Sequence, residues 1–186
     1  MTAQPKPAQD APPAAETSET PEENPSNITK QALQELFYMG YNPRTMLDVG
    51  ANIGVFTAQF SQIFPQCKCA MVEPNPHCEE ILKQQDCEIA PIAASSENGT
   101  ATLFLTDEVL QTTGASLYRE KTEHFSDEHL VKCDVKKARL DDYFEGRTFD
   151  FIKMDIQGSE LDALQGGEAI VRKADYVLIE LSMVEY

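Results

Sequence analysis

Leu47-Asp-Val-Gly-Ala-Asn-Ile-Gly-Val-Phe-Thr57 decides the reading of this chain. An apolar strand, Thr45 to Val49, runs into the glycine pair Gly50 and Gly54. A helix is expected from Ile53 to Phe64, ended by Pro65. Such a strand, turn and helix present backbone N–H groups to a nucleotide-like ligand. A dinucleotide fingerprint needs Gly-x-Gly-x-x-Gly. Here Asn52 holds the second glycine's place and Val55 the third's, which removes the close approach a pyrophosphate needs. The turn suits instead an uncharged adenosine with a charged amino-acid tail. A nicotinamide cofactor, and with it an NAD-dependent oxidoreductase, is the disfavoured alternative. Asp48 lies inside the apolar strand, where hydrophobic patterning asks for no charge. It is expected to organise the turn's N–H groups or to meet an ammonium through water.

Working outward, Lys68 to Val72 is a second strand that exits through Glu73-Pro-Asn-Pro76. Glu73 can accept hydrogen bonds from both hydroxyls of a ribose, which points to a nucleoside without saying which. A helix is expected over His77 to Gln85 and a third strand over Glu88 to Ala94. Thr100 to Leu105 alternates like a half-exposed strand, and 106–130 is polar and poorly periodic. Leu130 to Val135 suits an edge strand. Phe149 to Met154 is a buried strand, Glu160 to Val171 its crossover helix, and Tyr176 to Leu181 a last apolar strand. Alternation at this spacing predicts a mostly parallel sheet covered on both faces.

Lys153-Met-Asp-Ile-Gln-Gly-Ser-Glu160 ends the strand expected beside the first, so Asp155 should face the same cleft as Gly50. Ser159 with Asp162 reads as a capping box, and Glu160 suits a first helical turn. Lys153 is expected to emerge at the cleft edge or to pair with Asp155 or Glu180. Glu180, inside Leu-Ile-Glu-Leu, must lie near the rim or be paired, because burying a lone carboxylate is costly.

The first 27 of the 186 residues hold six prolines, five acidic groups, one lysine and no aromatic. Residues 1–27 are therefore expected to be a disordered acidic tail, leaving 28–186 as one domain that opens on a helix from Ile28 to Met39. The formal charge of −16 argues against nucleic acid. No run approaches the length of a membrane span. The five cysteines, at positions 67, 69, 78, 87 and 133, show no metal-binding spacing, so free thiols in a reducing, cytoplasmic setting are expected and no metal site. His77 is expected at the surface, and His124 and His129 fall in the polar insert. No nucleophile triad is legible.

Together these segments resemble the FkbM-type family of S-adenosylmethionine-dependent methyltransferases, from about Leu36 to Glu180. The resemblance rests on the Leu47–Thr57 run, on Val72-Glu-Pro-Asn-Pro76 and on Ala93-Ala-Ser-Ser-Glu-Asn-Gly-Thr-Ala-Thr-Leu-Phe104. It rests further on Ile152-Lys-Met-Asp-Ile-Gln-Gly-Ser-Glu-Leu161, Ala163-Leu-Gln-Gly166 and Val177-Leu-Ile-Glu180. It implies a Rossmann-like class I methyltransferase fold, a three-layer α/β/α sandwich. Asp48, Gly50, Ala51, Asn52 and Gly54 would cradle the methionine portion of the cofactor, Glu73 the ribose, and Ala94 with Ser95 the adenine. Asp155 would stand near the methyl donor and the acceptor, with Glu160 and Glu180 as further candidate bases. The implied reaction is O-methylation of a sugar, glycolipid or secondary metabolite. Such a sheet ordinarily has seven strands ending in an antiparallel hairpin, whereas five are legible here. The domain is therefore expected to be C-terminally truncated, to self-associate through its bare fifth strand, or to act as a non-enzymatic cofactor- or protein-binding module. Gln157 departs from the acidic residue common at that place in relatives.

Overall fold

The computed structural model describes residues 25–106, 115–118 and 130–181. The acidic tail up to residue 24, most of the polar insert with His124 and His129, and the last five residues lie outside the described residues. The elements in chain order are α1 (Pro25–Tyr38), β1 (Thr45–Val49), α2 (Val55–Ile63), β2 (Lys68–Val72), α3 (Glu79–Leu82), β3 (Glu88–Ala90), β4 (Ala93–Ala94), β5 (Gly99–Thr106) and β6 (Leu130–Ala138). They continue with α4 (Leu140–Tyr143), β7 (Phe151–Met154), α5 (Glu160–Gly166), α6 (Glu168–Val171) and β8 (Tyr176–Ile179).

Five strands form a parallel sheet in the order β3-β2-β1-β7-β8. The order reverses between β1 and β7, so the loops leaving these two central strands open a crevice at their carboxyl ends. β1 and β7 are buried on both faces, which explains their near-continuous apolar runs. On one face Leu47, Val49, Ala70, Val72, Ile152 and Met154 pack against Leu140, Phe144, Phe149, Ala163 and Ile170. On the other, Met46, Cys69 and Phe151 pack against Leu33 of α1 and Phe60 and Phe64 at α2. The result is the Rossmann-like α/β/α sandwich with a mostly parallel sheet.

A second sheet, β4-β6-β5, pairs β5 and β6 antiparallel and β4 parallel to β6. This corrects the single strand expected from Glu88 to Ala94. Pro91 has no N–H for a ladder, and the chain there leaves the first sheet and delivers Ala93 and Ala94 to the second. The crossover helix expected from Glu160 to Val171 is broken in two at Gly166-Gly167. A Cβ on Gly166 would lie 1.8 Å from the Ser95 carbonyl oxygen, so only glycine lets α5 approach β4 this closely. The helix expected over His77 to Gln85 is only four residues long, α4 has no forecast counterpart, and α1 begins at Pro25, taking three residues from the expected tail. Among the described residues β8 occupies the sheet edge, with Tyr176 and Leu178 exposed.

The α2 face depends on an aromatic cluster centred on Phe60, whose ring lies 4.8 Å from that of Phe64 and 5.0 Å from that of Phe151. Phe60→Ala is expected to lower the unfolding free energy by about 3–5 kcal/mol, read from the urea midpoint at unchanged slope.

Candidate active site

The crevice at the switch point is a cleft of about 750 Å³. Its floor is the turn after β1. Gly50 has φ +83°, and a Cβ there would lie 1.9 Å from the Asp155 carbonyl oxygen, so the β1 and β7 loops touch through a glycine. The N–H groups of Gly50 and Ala51 donate to the Val72 carbonyl. These bonds tie the turn to β2.

Glu73 follows β2 and is 7% exposed. One carboxylate oxygen accepts the Asn52 N–H at 2.7 Å and the other the Asn75 N–H at 2.8 Å. Glu73 therefore organises the turn's backbone, the task expected of Asp48. Burial is the main cause that raises its pKa, opposed by these two N–H groups.

Asp48 sits elsewhere. Register places it directly beside Lys153, on the α2 face of the sheet. Thr57 of α2 donates to one Asp48 oxygen at 2.7 Å. The other oxygen has no hydrogen bond and faces the Lys153 ammonium at 3.4 Å. That ammonium also donates to the Gly50 carbonyl at 3.0 Å, lies 3.4 Å from Asp155 and stands 5.7 Å over the Phe56 ring. The ammonium Asp48 meets is thus the chain's own, held directly rather than through water.

Asp155 begins the loop after β7, and its N–H donates to the Val49 carbonyl. Its second oxygen accepts the Gln157 side-chain amide at 2.7 Å. Gln157 is in the left-handed region at φ +49°, and its carbonyl accepts the Ser116 hydroxyl at 2.6 Å. Ser116 bridges to Phe104 of β5, so the second sheet closes over the cleft and adds Leu103, Ala115 and Leu117 to its wall.

Of the residues singled out in the sequence, Gly50, Ala51, Asn52, Glu73, Ala94, Asp155 and Glu180 line the cleft. Glu180 is exposed at the rim. Asp48, Gly54, Ser95 and Glu160 do not line it. Gly54 is the left-handed N-cap of α2, and Ser95 binds its N–H to the Ala138 carbonyl behind the wall. Glu160 is 5% exposed and its oxygens accept the N–H groups of Ile156 and Gly158, a clasp on its own loop. The expected Ser159–Asp162 capping box is absent: the Ser159 hydroxyl makes no cap bond and is buried without a hydrogen-bond partner while its residue lines the cleft. Asp162 instead accepts from Ser96 and from the Tyr118 hydroxyl. Of the partners expected for Lys153, Asp155 is found and Glu180 is not. Sequence reasoning missed its contact with Asp48, the first of two omissions, the second being the roof from β5 and 115–118. The pairing of an in-strand Asp with an in-strand Lys was the available signal for the first.

The model of the FkbM methyltransferase domain matches residues 48–186. The chain belongs to the FkbM methyltransferase family. This membership displaces the nicotinamide alternative. The 2-O-methyltransferase NoeI of Sinorhizobium fredii is 27% identical over 152 residues, covering 74% of this chain and 63% of that protein. Methyltransferase sdnD of Sordaria araneosa is 28% identical over 153 residues, covering 65% of this chain and 59% of that protein. This FkbM chain therefore spans about three fifths of the length of the curated relatives it matches. Among solved structures, the plantazolicin methyltransferase BpumL in complex with SAH aligns over 83% of this chain and 44% of its own, with 9% identity and a TM-score of 0.41. Among the described residues no helix of this FkbM chain is long and apolar enough to cross a membrane.

Removing the Lys153 charge would leave Asp48, which is fully buried, without compensation. Lys153→Met is expected to cost about 3–5 kcal/mol of stability. Adding Asp48→Asn should recover part of the loss in chemical denaturation, since the asparagine carbonyl still accepts from Thr57. Glu73 supplies a pH signature. A glutamate whose folded pKa stands above its ordinary 4.5 holds its proton more readily in the folded chain. Its contribution to stability is full below the unfolded value and is lost as pH rises through the folded one. Thermal melts from about pH 4 to pH 8 should therefore show Glu73→Gln gaining on the wild type as pH rises. A difference that stays flat across that range would contradict the assignment.

Proposed function

We propose that this chain binds S-adenosylmethionine in the cleft and transfers its methyl group to a hydroxyl of a sugar, glycolipid or secondary metabolite. The observation that carries the reading is the convergence of the Gly50–Asn52 turn, the Glu73 carboxylate and Asp155 on one crevice at the switch point. Membership in a methyltransferase family supports the chemistry, and the name of NoeI, a 2-O-methyltransferase, supports an oxygen acceptor.

The donor set fits the cofactor. Each Glu73 oxygen accepts a single backbone N–H, so lone pairs remain for ribose hydroxyls. Ile92, Ala93, Ala94 and Leu103 give an apolar wall suited to a flat base. The buried hydroxyl of Ser159 has its hydrogen-bonding capacity unspent. When bound, the cofactor supplies a methyl group on a sulfonium, open to displacement by a nucleophilic oxygen.

The chain's part is to place the acceptor and to take its proton. Positioning supplies much of the rate in a displacement that needs linear geometry. An alcohol attacks readily only while its proton is being removed, and Asp155 is the carboxylate suited to receive it. Its oxygens are steered by Lys153 on one side and Gln157 on the other. Glu180, on the rim, is the second candidate. Glu160 is engaged by backbone N–H groups and has a supporting place in its loop.

Calorimetric titration with S-adenosylhomocysteine and with NAD is expected to show binding of the first alone. Glu73→Ala should weaken that binding about tenfold or more, the equivalent of one lost charge-assisted pair. With labelled S-adenosylmethionine and a panel of hydroxylated acceptors, Asp155→Asn should lower kcat by about 100- to 10,000-fold while S-adenosylhomocysteine still binds. Unchanged affinity in Glu73→Ala would remove the basis of the reading.

A further inference from the structure

Three of the cysteines collect on one face of the sheet, at the end remote from the cleft. Cys69 lies in β2, Cys67 two residues before it on the same face, and Cys87 immediately precedes β3. All three pack into the cluster formed by Met46, Phe60, Phe64 and Phe151 under α2. The β2–β3 register pairs Ala70 with Glu88, so one step back Cys69 stands beside Cys87. Neighbouring strands run about 4.8 Å apart. That falls inside the window of about 4.4–6.8 Å over which a disulfide spans two Cα atoms. Counting the same register back puts Gln85, not a cysteine, opposite Cys67.

We propose that Cys69 and Cys87 form a reversible disulfide when the chain meets a hydroperoxide, making this thiol cluster a site of oxidative modification separate from the cleft. The Cys69 sulfur displaces an alcohol or water from the peroxide O–O bond and becomes a sulfenic acid. The Cys87 thiol then attacks that sulfur, the S–S bond forms and water leaves. In sum two thiols lose two hydrogens, the peroxide is reduced, and no other reductant or oxidant takes part.

The surroundings divide the labour between the two sulfurs. Ser61 of α2 approaches the Cys69 sulfur at 3.6 Å, and Cys69 as a thiol donates to the Cys67 carbonyl at 3.9 Å. Donation from the Cys67 thiol is the main cause that brings Cys69 down to about 7, with Ser61 and Cys87 helping and burial and Asp48 opposing. Cys87, chiefly through burial, is pushed up to about 11 and stays a thiol. Cys69 is 8% exposed, while Cys67 and Cys87 are half-buried and give a small oxidant its way in. Ser61 is one helical turn beyond Thr57, the residue that holds Asp48, so the disulfide draws a sulfur away from the helix that holds Asp48.

The test is peptide mapping of the full chain after brief exposure to hydrogen peroxide under native conditions, followed by blocking of free thiols with N-ethylmaleimide. The expected result is one intramolecular Cys69–Cys87 link, reversed by dithiothreitol and lost in Cys87→Ser, with Cys78 and Cys133 still blocked as free thiols. Cys87→Ser replaces a half-buried side chain, and Cys133→Ser provides a second folded control in which the link should persist. Complete blocking of both Cys69 and Cys87 after peroxide overturns the proposal. So does a link that joins Cys67 to Cys69, involves Cys78 or Cys133, or forms between chains.

Discussion

A buried ammonium holds the cleft together. Lys153 stands in the middle of a parallel sheet, in contact with Asp48 on the neighbouring strand, Asp155 on its own loop and the Gly50 carbonyl. Burying a charge is costly unless it is paired. Asp155 and the Gly50 carbonyl that offset it belong to the two loops facing the crevice, and Asp48 to the strand that leads into one of them. The interaction therefore couples β1 and β7 at their carboxyl ends, and the relative position of the Gly50 turn and Asp155 follows from it. A hydrophobic pair at this register would pack well without aiming either loop.

The remaining features of the site follow from that coupling. With the β1 turn held down, its N–H groups are free to bind β2 through the Val72 carbonyl and the Glu73 side chain. With the β7 loop held, Gln157 takes a left-handed conformation, bonds Asp155 and offers its carbonyl to Ser116. The second sheet is thereby latched over the cleft by a side chain from a segment whose sequence carries no periodic signal. The β1 turn and the β7 loop share one charged centre, and Ser116 joins the roof to it through Gln157.

Much of the sheet could be read from the chain because its strands are buried on both faces and leave unbroken apolar runs. Thr45 to Val49 and Lys68 to Val72 coincide with β1 and β2 residue for residue. The misreadings share a cause. Glu88 to Ala94 looks like one strand because hydrophobicity does not register that Pro91 ends a ladder. Glu160 to Val171 looks like one helix because nothing local says that Gly166 must clear the Ser95 carbonyl. At the site, Gly50, Asn52, Glu73 and Asp155 were legible from chain order alone. Asp48 was found as an anomaly and given either Glu73's task or an ammonium met through water; that the ammonium is Lys153 was not legible, since it lies over one hundred residues away in sequence.

What the sequence determined by itself was local and periodic: which segments are apolar enough to be interior strands, where glycine and proline interrupt them, and which polar side chains fall at strand ends. Tertiary structure alone decided the pairings. Register set Asp48 beside Lys153 and Cys69 beside Cys87, the break at Pro91 built a second sheet, and the approach of that sheet turned an open crevice into a roofed cleft. The physical reason is that patterning records how much of each residue is buried, while the cost of burying a charge or a thiol depends on which other residue arrives next to it.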